Sequence, residues 1–194
     1  MYQMPKLLKD SYEELVEKAQ EIFWLKGFKG VSVKELSEYL SVSQTILYNK
    51  YSKDDLFLDS LDYYTSNYSD PFLKHLRETT EGIGSLRDFF YQLINALEDK
   101  TFPRSCLMVN TVVELRNEND AVVSRYESYL AALKSSYMVV LEKAVELGQI
   151  KYPERLNSYA DFLLGIIFSL SILFKIRSKK ELHQFIDEQL SFIQ

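Results

Sequence analysis

Through most of the chain, apolar residues return every third or fourth position, the spacing of one face of an α-helix. Leu15, Ala19, Ile22 and Phe23 make the first stripe, closed by Gly27 as a C′ glycine. Leu56, Phe57, Leu61, Tyr64 and Tyr68 make another, which stops before Pro71. Leu86, Phe89, Phe90, Leu93, Ile94 and Leu97 follow, closed by Pro103. A shorter helix between Pro103 and Asn117 carries Cys106, Leu107, Val109, Val112 and Val113. A longer one between Asn119 and Gly148 carries Val122, Tyr126, Tyr129, Leu130, Leu133, Tyr137, Val140, Leu141 and Ala144. At ~1.5 Å per residue that helix would reach roughly 40 Å, the length of a whole domain. The last stripe is Leu182, Phe185, Ile186, Leu190 and Ile193. The pattern predicts an all-α chain of about nine helices.

Helix starts are marked as clearly as helix faces. Ser11-Tyr-Glu-Glu14, Ser32-Val-Lys-Glu35, Ser85-Leu-Arg-Asp88 and Ser178-Lys-Lys-Glu181 fit the capping box, with Ser52-Lys-Asp-Asp55 as a fifth. In that motif the serine hydroxyl accepts from the third backbone amide, and the acid there reaches back.

One helix breaks the amphipathic rule. From Phe162 to Phe174 the chain is apolar nearly all round, flanked by Asp161 and Lys175. These 13 residues fall short of the ~20 a bilayer requires. A helix with no polar face must be covered on every face. It is either wholly internal or half covered by a second copy of the protein, and Gly165, Ser169 and Ser171 would let backbones approach closely. The expectation is a homodimer, with a four-helix bundle built from this helix and the last one of each subunit. No membrane partner is expected.

Composition narrows the class. Apolar residues are 46% and charged residues 26%, and 6 Gly plus 4 Pro is too few for a protein made of tight turns. The single cysteine cannot form an intramolecular disulfide and no signal peptide is evident, so a reducing cytoplasm is expected. His75 and His183 stand far apart without ligand-spaced companions, so neither metal nor cofactor is expected. Phosphate-loop, HExxH and GxSxG motifs are absent, which disfavours an enzyme. Residues 1–53 carry 8 Lys or Arg against 7 Asp or Glu, whereas residues 54–194 carry 15 against 21. The near-neutral first segment can meet phosphate although the whole chain is acidic.

That segment holds the candidate chemistry. Ser32 caps a short helix bearing Val33, Leu36 and Leu40; Ser41-Val42-Ser43 breaks it, and Ser43 caps a second. Leu36, Val42 and Leu47 fall at the core spacing of a helix-turn-helix, which would hold the second helix with its outer face free to enter a major groove. Gln44, Thr45, Tyr48, Asn49 and Lys50 lie on that outer face. Amides bond adenine edges in pairs, Lys reaches guanine or phosphate, and Tyr bonds phosphate.

From Ala19 to Leu56 the chain resembles the DNA-binding domain of TetR/AcrR-type transcriptional regulators. Ala19, Ile22-Phe23, Gly27-Phe28, Val31-Ser32-Val33, Leu36, Val42-Ser43, Leu47-Tyr48, Tyr51, Ser52-Lys53 and Leu56 meet the family pattern in order. Cys106-Leu-Met-Val-Asn110 is similar to one variant of the family's sixth helix. The chain departs from the pattern at Ser41, the usual turn glycine, at Thr45 and Tyr39, and in a shorter link from Tyr51 to Leu56. The resemblance implies a helix-turn-helix domain over residues 1–53 and a ligand-binding and dimerisation domain over 54–194. It implies a dimer on a palindromic double-stranded operator, with Ser32 and Lys53 meeting phosphate and Gln44, Thr45, Tyr48, Asn49 and Lys50 facing DNA. It also implies a small-molecule effector that releases the operator, the protein acting as a repressor.

For that effector the aromatic content, 14 Tyr and 12 Phe, offers an apolar lining with a few phenol hydroxyls. Tyr64, Tyr68, Phe89, Phe90, Met108, Tyr126, Tyr129 and Phe168 are the candidates, with Cys106 and Asn110; Glu114 could add a polar contact. Cys106, two positions after Arg104, is either a buried apolar filler or a thiol sensitised by the nearby cation. The rival reading is a helical dimeric module that binds a protein or lipid partner without DNA.

Overall fold

The computed structural model describes residues 11–98, 105–116 and 118–194, and the side chains of all of these except Ser11, Leu97 and Glu98. Pro103, Arg104 and Asn117, assigned above to helix ends and to the setting of Cys106, lie outside the described residues. So do the side chains of Ser11 and Leu97.

Ten α-helices follow one another, with no strand among the described residues. They are α1 (Ser11–Lys26), α2 (Val33–Leu40), α3 (Gln44–Asn49), α4 (Lys53–Tyr64), α5 (Asp70–Glu78), α6 (Ile83–Glu98), α7 (Leu107–Leu115), α8 (Asp120–Glu146), α9 (Leu156–Leu173) and α10 (Lys179–Ser191). A π-helical turn over Thr65–Ser69 joins α4 to α5 without a break, so the described residues form nine separate rods. The expected stop before Pro71 is therefore corrected. Pro71 sits in the first turn of α5, immediately after the π turn, whose locally widened ladder accommodates the proline without ending the rod.

Local starts follow the sequence signals with one exception. Ser32, Ser43, Ser52 and Ser178 accept from the amides of Glu35, Ile46, Asp55 and Glu181, and only Ser178–Glu181 closes the full reciprocal box. Ser85 is not a cap. It lies inside α6, 3% exposed, with its hydroxyl accepting from the Glu81 amide. The helix starts three residues earlier than a Ser85 cap would place it, because Gln149, distant in sequence, accepts from the Ile83 amide at 2.8 Å. Cys106 is likewise the residue before α7 rather than within it.

α8 runs 27 residues and serves as the spine, with α4, α5, α6, α7 and α9 packed along it. The core is continuous from Ala19 and Phe23 in α1 through Leu56 and Leu61 in α4 to Tyr137, Leu141 and Ile167. α1 lies along α4, and α6 pairs with α10, where Asp187 accepts from both Arg87 and Tyr91. Arg125 of α8 grips Asp62 of α4 through two hydrogen bonds of 2.9 and 2.8 Å.

The apolar stretch is longer than its sequence suggested. With the 3₁₀ turn Pro153–Arg155, α9 runs 21 residues from Pro153 to Leu173, and an 18-residue window of it has a mean hydropathy of 1.6, long and apolar enough by length and composition to cross a membrane. It lies along α8 instead, with Asp161 paired to Lys134 at 2.5 Å, and a third of its apolar window is buried within one chain.

Candidate nucleic-acid interface and effector cavity

The helix-turn-helix forms from the residues its spacing implicated. Leu36, Leu40 and Leu47 are at most 3% exposed and Val42 is half-buried, so α2 and α3 are clamped from beneath. The turn is made by Ser41 at φ 56°, ψ 36°, a left-handed conformation that costs a serine about 1 kcal/mol relative to glycine. The Ser41 amide bonds back to the carbonyls of Ser37 and Glu38, and the Val42 amide reaches the Ser37 carbonyl at 3.0 Å.

Above that core α3 presents Gln44, Thr45, Tyr48, Asn49 and Lys50, all exposed. Tyr48 is 69% exposed. Lys50 ends the helix and rests its ammonium 4.7 Å from the Tyr51 ring centroid. Ser32 is exposed at the start of α2. Lys53 is the outlier of the set. Its ammonium lies 4.0 Å over the Phe28 ring, and partial burial there holds it below the usual lysine range. Tyr39 does not pack between helices; its hydroxyl bonds Glu21 across the outside of α1 and α2.

Two contacts tie this head to the rest. Glu114 of α7 accepts from the backbone amides of Phe28 at 3.0 Å and Lys29 at 2.6 Å, at the bend leaving α1. The bend begins at Gly27, φ +73°, where a Cβ would stand 2.7 Å from the Glu114 carboxylate. At the other end of α7, Trp24 of α1 donates its indole N–H to the Ser105 carbonyl at 2.9 Å. Glu114 is thus a clamp on the head rather than the ligand contact considered from sequence.

Beside Trp24 opens a cavity of about 290 Å³. Of the candidate effector residues, Tyr64, Tyr68, Phe89, Cys106 and Tyr129 line it. Phe90, Met108, Asn110, Tyr126 and Phe168 do not. Phe90 and Met108 are buried behind the wall, and Asn110 turns its amide to the Ser105 hydroxyl. Tyr126 and Phe168 are half-buried outside the lining. Helical spacing could not tell the cavity side of a stripe from its core side. The missed residues include Trp24, Ser69, Phe72, Leu93, Ile167 and Phe174, from four helices and the π turn. The π turn brings Tyr68 onto Tyr64, their rings stacked at 5.8 Å, and Trp24 meets both edge-on.

At one wall the Tyr64 hydroxyl donates to Cys106 Sγ at 3.6 Å, and the Tyr129 hydroxyl lies 3.5 Å from the same sulfur. Burial, with the sulfur close by, raises both phenols well above the ordinary tyrosine range. Tyr137 is pushed up the same way, and its hydroxyl has no hydrogen-bond partner among the described residues. None of the described side chains lining the cavity is charged. No group of three or more His, Cys, Asp or Glu that could hold a metal occurs among the described residues.

The family model of the tetracyclin repressor-like C-terminal domain matches residues 82–188, more than half of the chain. The chain belongs to the TetR family. A Bacillus subtilis HTH-type transcriptional regulator, YezE, is 23% identical over 182 residues, covering 92% of this chain and 94% of its own. The Escherichia coli HTH-type transcriptional repressor ComR is 25% identical over 159 residues, covering 81% and 76%. Among solved structures, a cysteine mutant of the TetR family regulator CifR, complexed with a 26 bp operator, superposes over 100% of both chains. Its TM-score is 0.83 at 17% identity. Reduced E. coli NemR covers 96% of this chain and 98% of its own, with a TM-score of 0.75 at 17% identity. Membership in a family of transcriptional regulators is at odds with the rival reading of a helical module that never meets DNA.

Proposed function

We propose that the protein is a cytoplasmic homodimeric repressor that holds a palindromic operator through two copies of α3 and releases it when a small molecule enters the cavity. The observation that carries this is the outer face of α3, five exposed hydrogen-bonding side chains on a helix whose inner face is pinned by Leu47. A helix used only for packing has no need of such a face. Gln44, Thr45 and Asn49 are assigned to base edges, and Tyr48, Lys50 and Ser32 to phosphates. Lys53 is assigned a phosphate only if its ammonium leaves Phe28. On this reading the DNA-binding domain is residues 1–53 and the ligand-binding and dimerisation domain 54–194.

Dimerisation is assigned to the outer faces of α9 and α10. Ile172 on α9 and, just past the ends of α9 and α10, Ile176 and Phe192 are 65–71% exposed, and a Cβ at Gly165 would meet nothing within 4 Å. Release is assigned to α7. Its N-terminal side touches the cavity through Ser105 and Cys106, and its far end holds the Phe28 and Lys29 amides through Glu114. An effector that binds better to a displaced α7 shifts the head away from the operator-binding position, by as much as its affinity differs between the two states.

The test is a gel shift on the DNA flanking the coding region across a salt series. The expected result is specific binding with a log–log salt slope of several units, weakened by Tyr48→Ala and by Lys50→Ala. Binding indifferent to both substitutions would refute the contact assignment.

A further inference from the structure

The cavity beside Trp24 has a lining chemistry that selects its occupant. Its walls are mostly aromatic and aliphatic, with Trp24, Tyr68, Phe72, Phe89, Ile167 and Phe174 among them. No described side chain there offers a charge to pair with a charged guest. An ion moved from water into such a site leaves its hydration behind with no counter-charge to replace it, whereas an apolar surface gains on entry. Besides Tyr68 and Ser69, the polar side chains of the lining are Ser171, whose hydroxyl donates to the Ile167 carbonyl, Ser105, whose hydroxyl accepts from Asn110, and a patch where two tyrosines meet the Cys106 thiol. There the Tyr64 hydroxyl donates to the sulfur of Cys106 at 3.6 Å, and the Tyr129 hydroxyl shares a hydrogen with the same thiol at 3.5 Å, in which either atom can donate. A thiol is a weak hydrogen-bond partner in either direction, so neither phenol has a strong acceptor there. A carbonyl or ether oxygen placed at the patch would accept from them more strongly.

We infer that the cavity takes an uncharged, mostly hydrocarbon ring compound bearing one hydrogen-bond-accepting oxygen, which Tyr64 and Tyr129 bind. This rests on the reading of the cavity as the effector site and specifies the class of effector. Both phenols stay protonated, and so remain donors, across the neutral range because burial raises their pKa values. Trp24, the single tryptophan of the chain, lines the same space and anchors α1 to Ser105. Occupancy therefore touches the DNA-binding head directly.

Three bicyclic probes separate the elements of this inference. Titration calorimetry on the full chain compares tetralin, 1-tetralone and the carboxylate of tetralin-2-carboxylic acid. The ketone should bind roughly tenfold more tightly than the hydrocarbon, the gain from one or two hydrogen bonds. The carboxylate should bind at least about a hundredfold more weakly than the ketone. Tetralin should change Trp24 emission, placing the probe in this cavity. In the Tyr64→Phe, Tyr129→Phe double variant the ketone's advantage over tetralin should vanish. If that variant does not fold, the ranking of the three probes on the unaltered protein decides. A carboxylate that binds as well as the ketone, a ketone no better than tetralin, or no binding by any probe would overturn the inference. The salt-series gel shift of unliganded protein is run separately. Its failure would overturn the regulator reading and leave these heats as they are, whereas a carboxylate that binds and releases DNA would overturn only the ligand class.

Discussion

Leu47 and Tyr48 are neighbours in sequence with opposite duties, 2% and 69% exposed on the same short helix. Their substitutions should separate stability from recognition. Leu47→Ala removes buried methyl groups and should cost about 2–4 kcal/mol in denaturant unfolding. Tyr48→Ala should change stability by no more than about 0.5 kcal/mol yet weaken operator binding about tenfold, the loss of one phosphate hydrogen bond. Equal effects of the two on stability would contradict the exposure of Tyr48. Glu114 is a second residue whose meaning is not local. Its carboxylate accepts two backbone amides 85 and 86 positions away, which no spacing in the sequence announces. Gly27→Ala would force a side chain into a left-handed bend and against that carboxylate. It should destabilise the fold by more than about 1 kcal/mol and loosen the head, read as faster hydrogen exchange at the Phe28 and Lys29 amides.

At the scale of elements, helix starts were legible because a serine cap is a short-range device. Ser32, Ser43, Ser52 and Ser178 all cap their helices, although only Ser178 closes the reciprocal box, whereas Ser85 does not cap, because Gln149 caps α6 from across the fold. The start of α10 offers a pH test. Glu181 is held down to about 2, first by the Ser178 amide, then by the Ser178 hydroxyl and Arg177. A carboxyl whose folded value lies below its unfolded one stabilises the fold above its ordinary value near 4.5, and that contribution is lost as pH falls toward 2. Stability of the unaltered protein should therefore fall over that window, and Glu181→Gln should flatten the fall. Thermal unfolding followed by circular dichroism measures both. The same fall in the variant would show that other carboxyls dominate.

For the molecule as a whole, the unresolved balance is the apolar surface of α9 and α10. A monomer would leave Ile172, Ile176 and Phe192 in water, at odds with the small apolar patches of stable monomers. Ile172→Glu should weaken self-association by roughly a hundredfold, seen as a monomer in sedimentation at concentrations where the unaltered chain is a dimer. A dimer that persists would move the interface elsewhere. The cavity belongs to this scale too. Tyr64, Tyr68, Phe89, Cys106 and Tyr129 were reachable from their aromatic and thiol chemistry, but Phe90, on the stripe of Phe89, and Met108, two residues from Cys106, turn into the core. A stripe reports which side of a helix is apolar, not whether a neighbour fills the space in front of it.

Helical class, the number of rods, the serine caps and the two-faced α3 follow from residues within a turn or two of one another. Each is a local competition between backbone, cap and hydrophobic face, and local competitions are written in spacing. The joining of α4 to α5 through a π turn, the Glu114 clamp, the Gln149 cap and the chamber against Trp24 depend on groups far apart in the chain. Those partners meet only after the core has closed. Their geometry is then set by how the rods pack along α8, which no single stretch of sequence encodes.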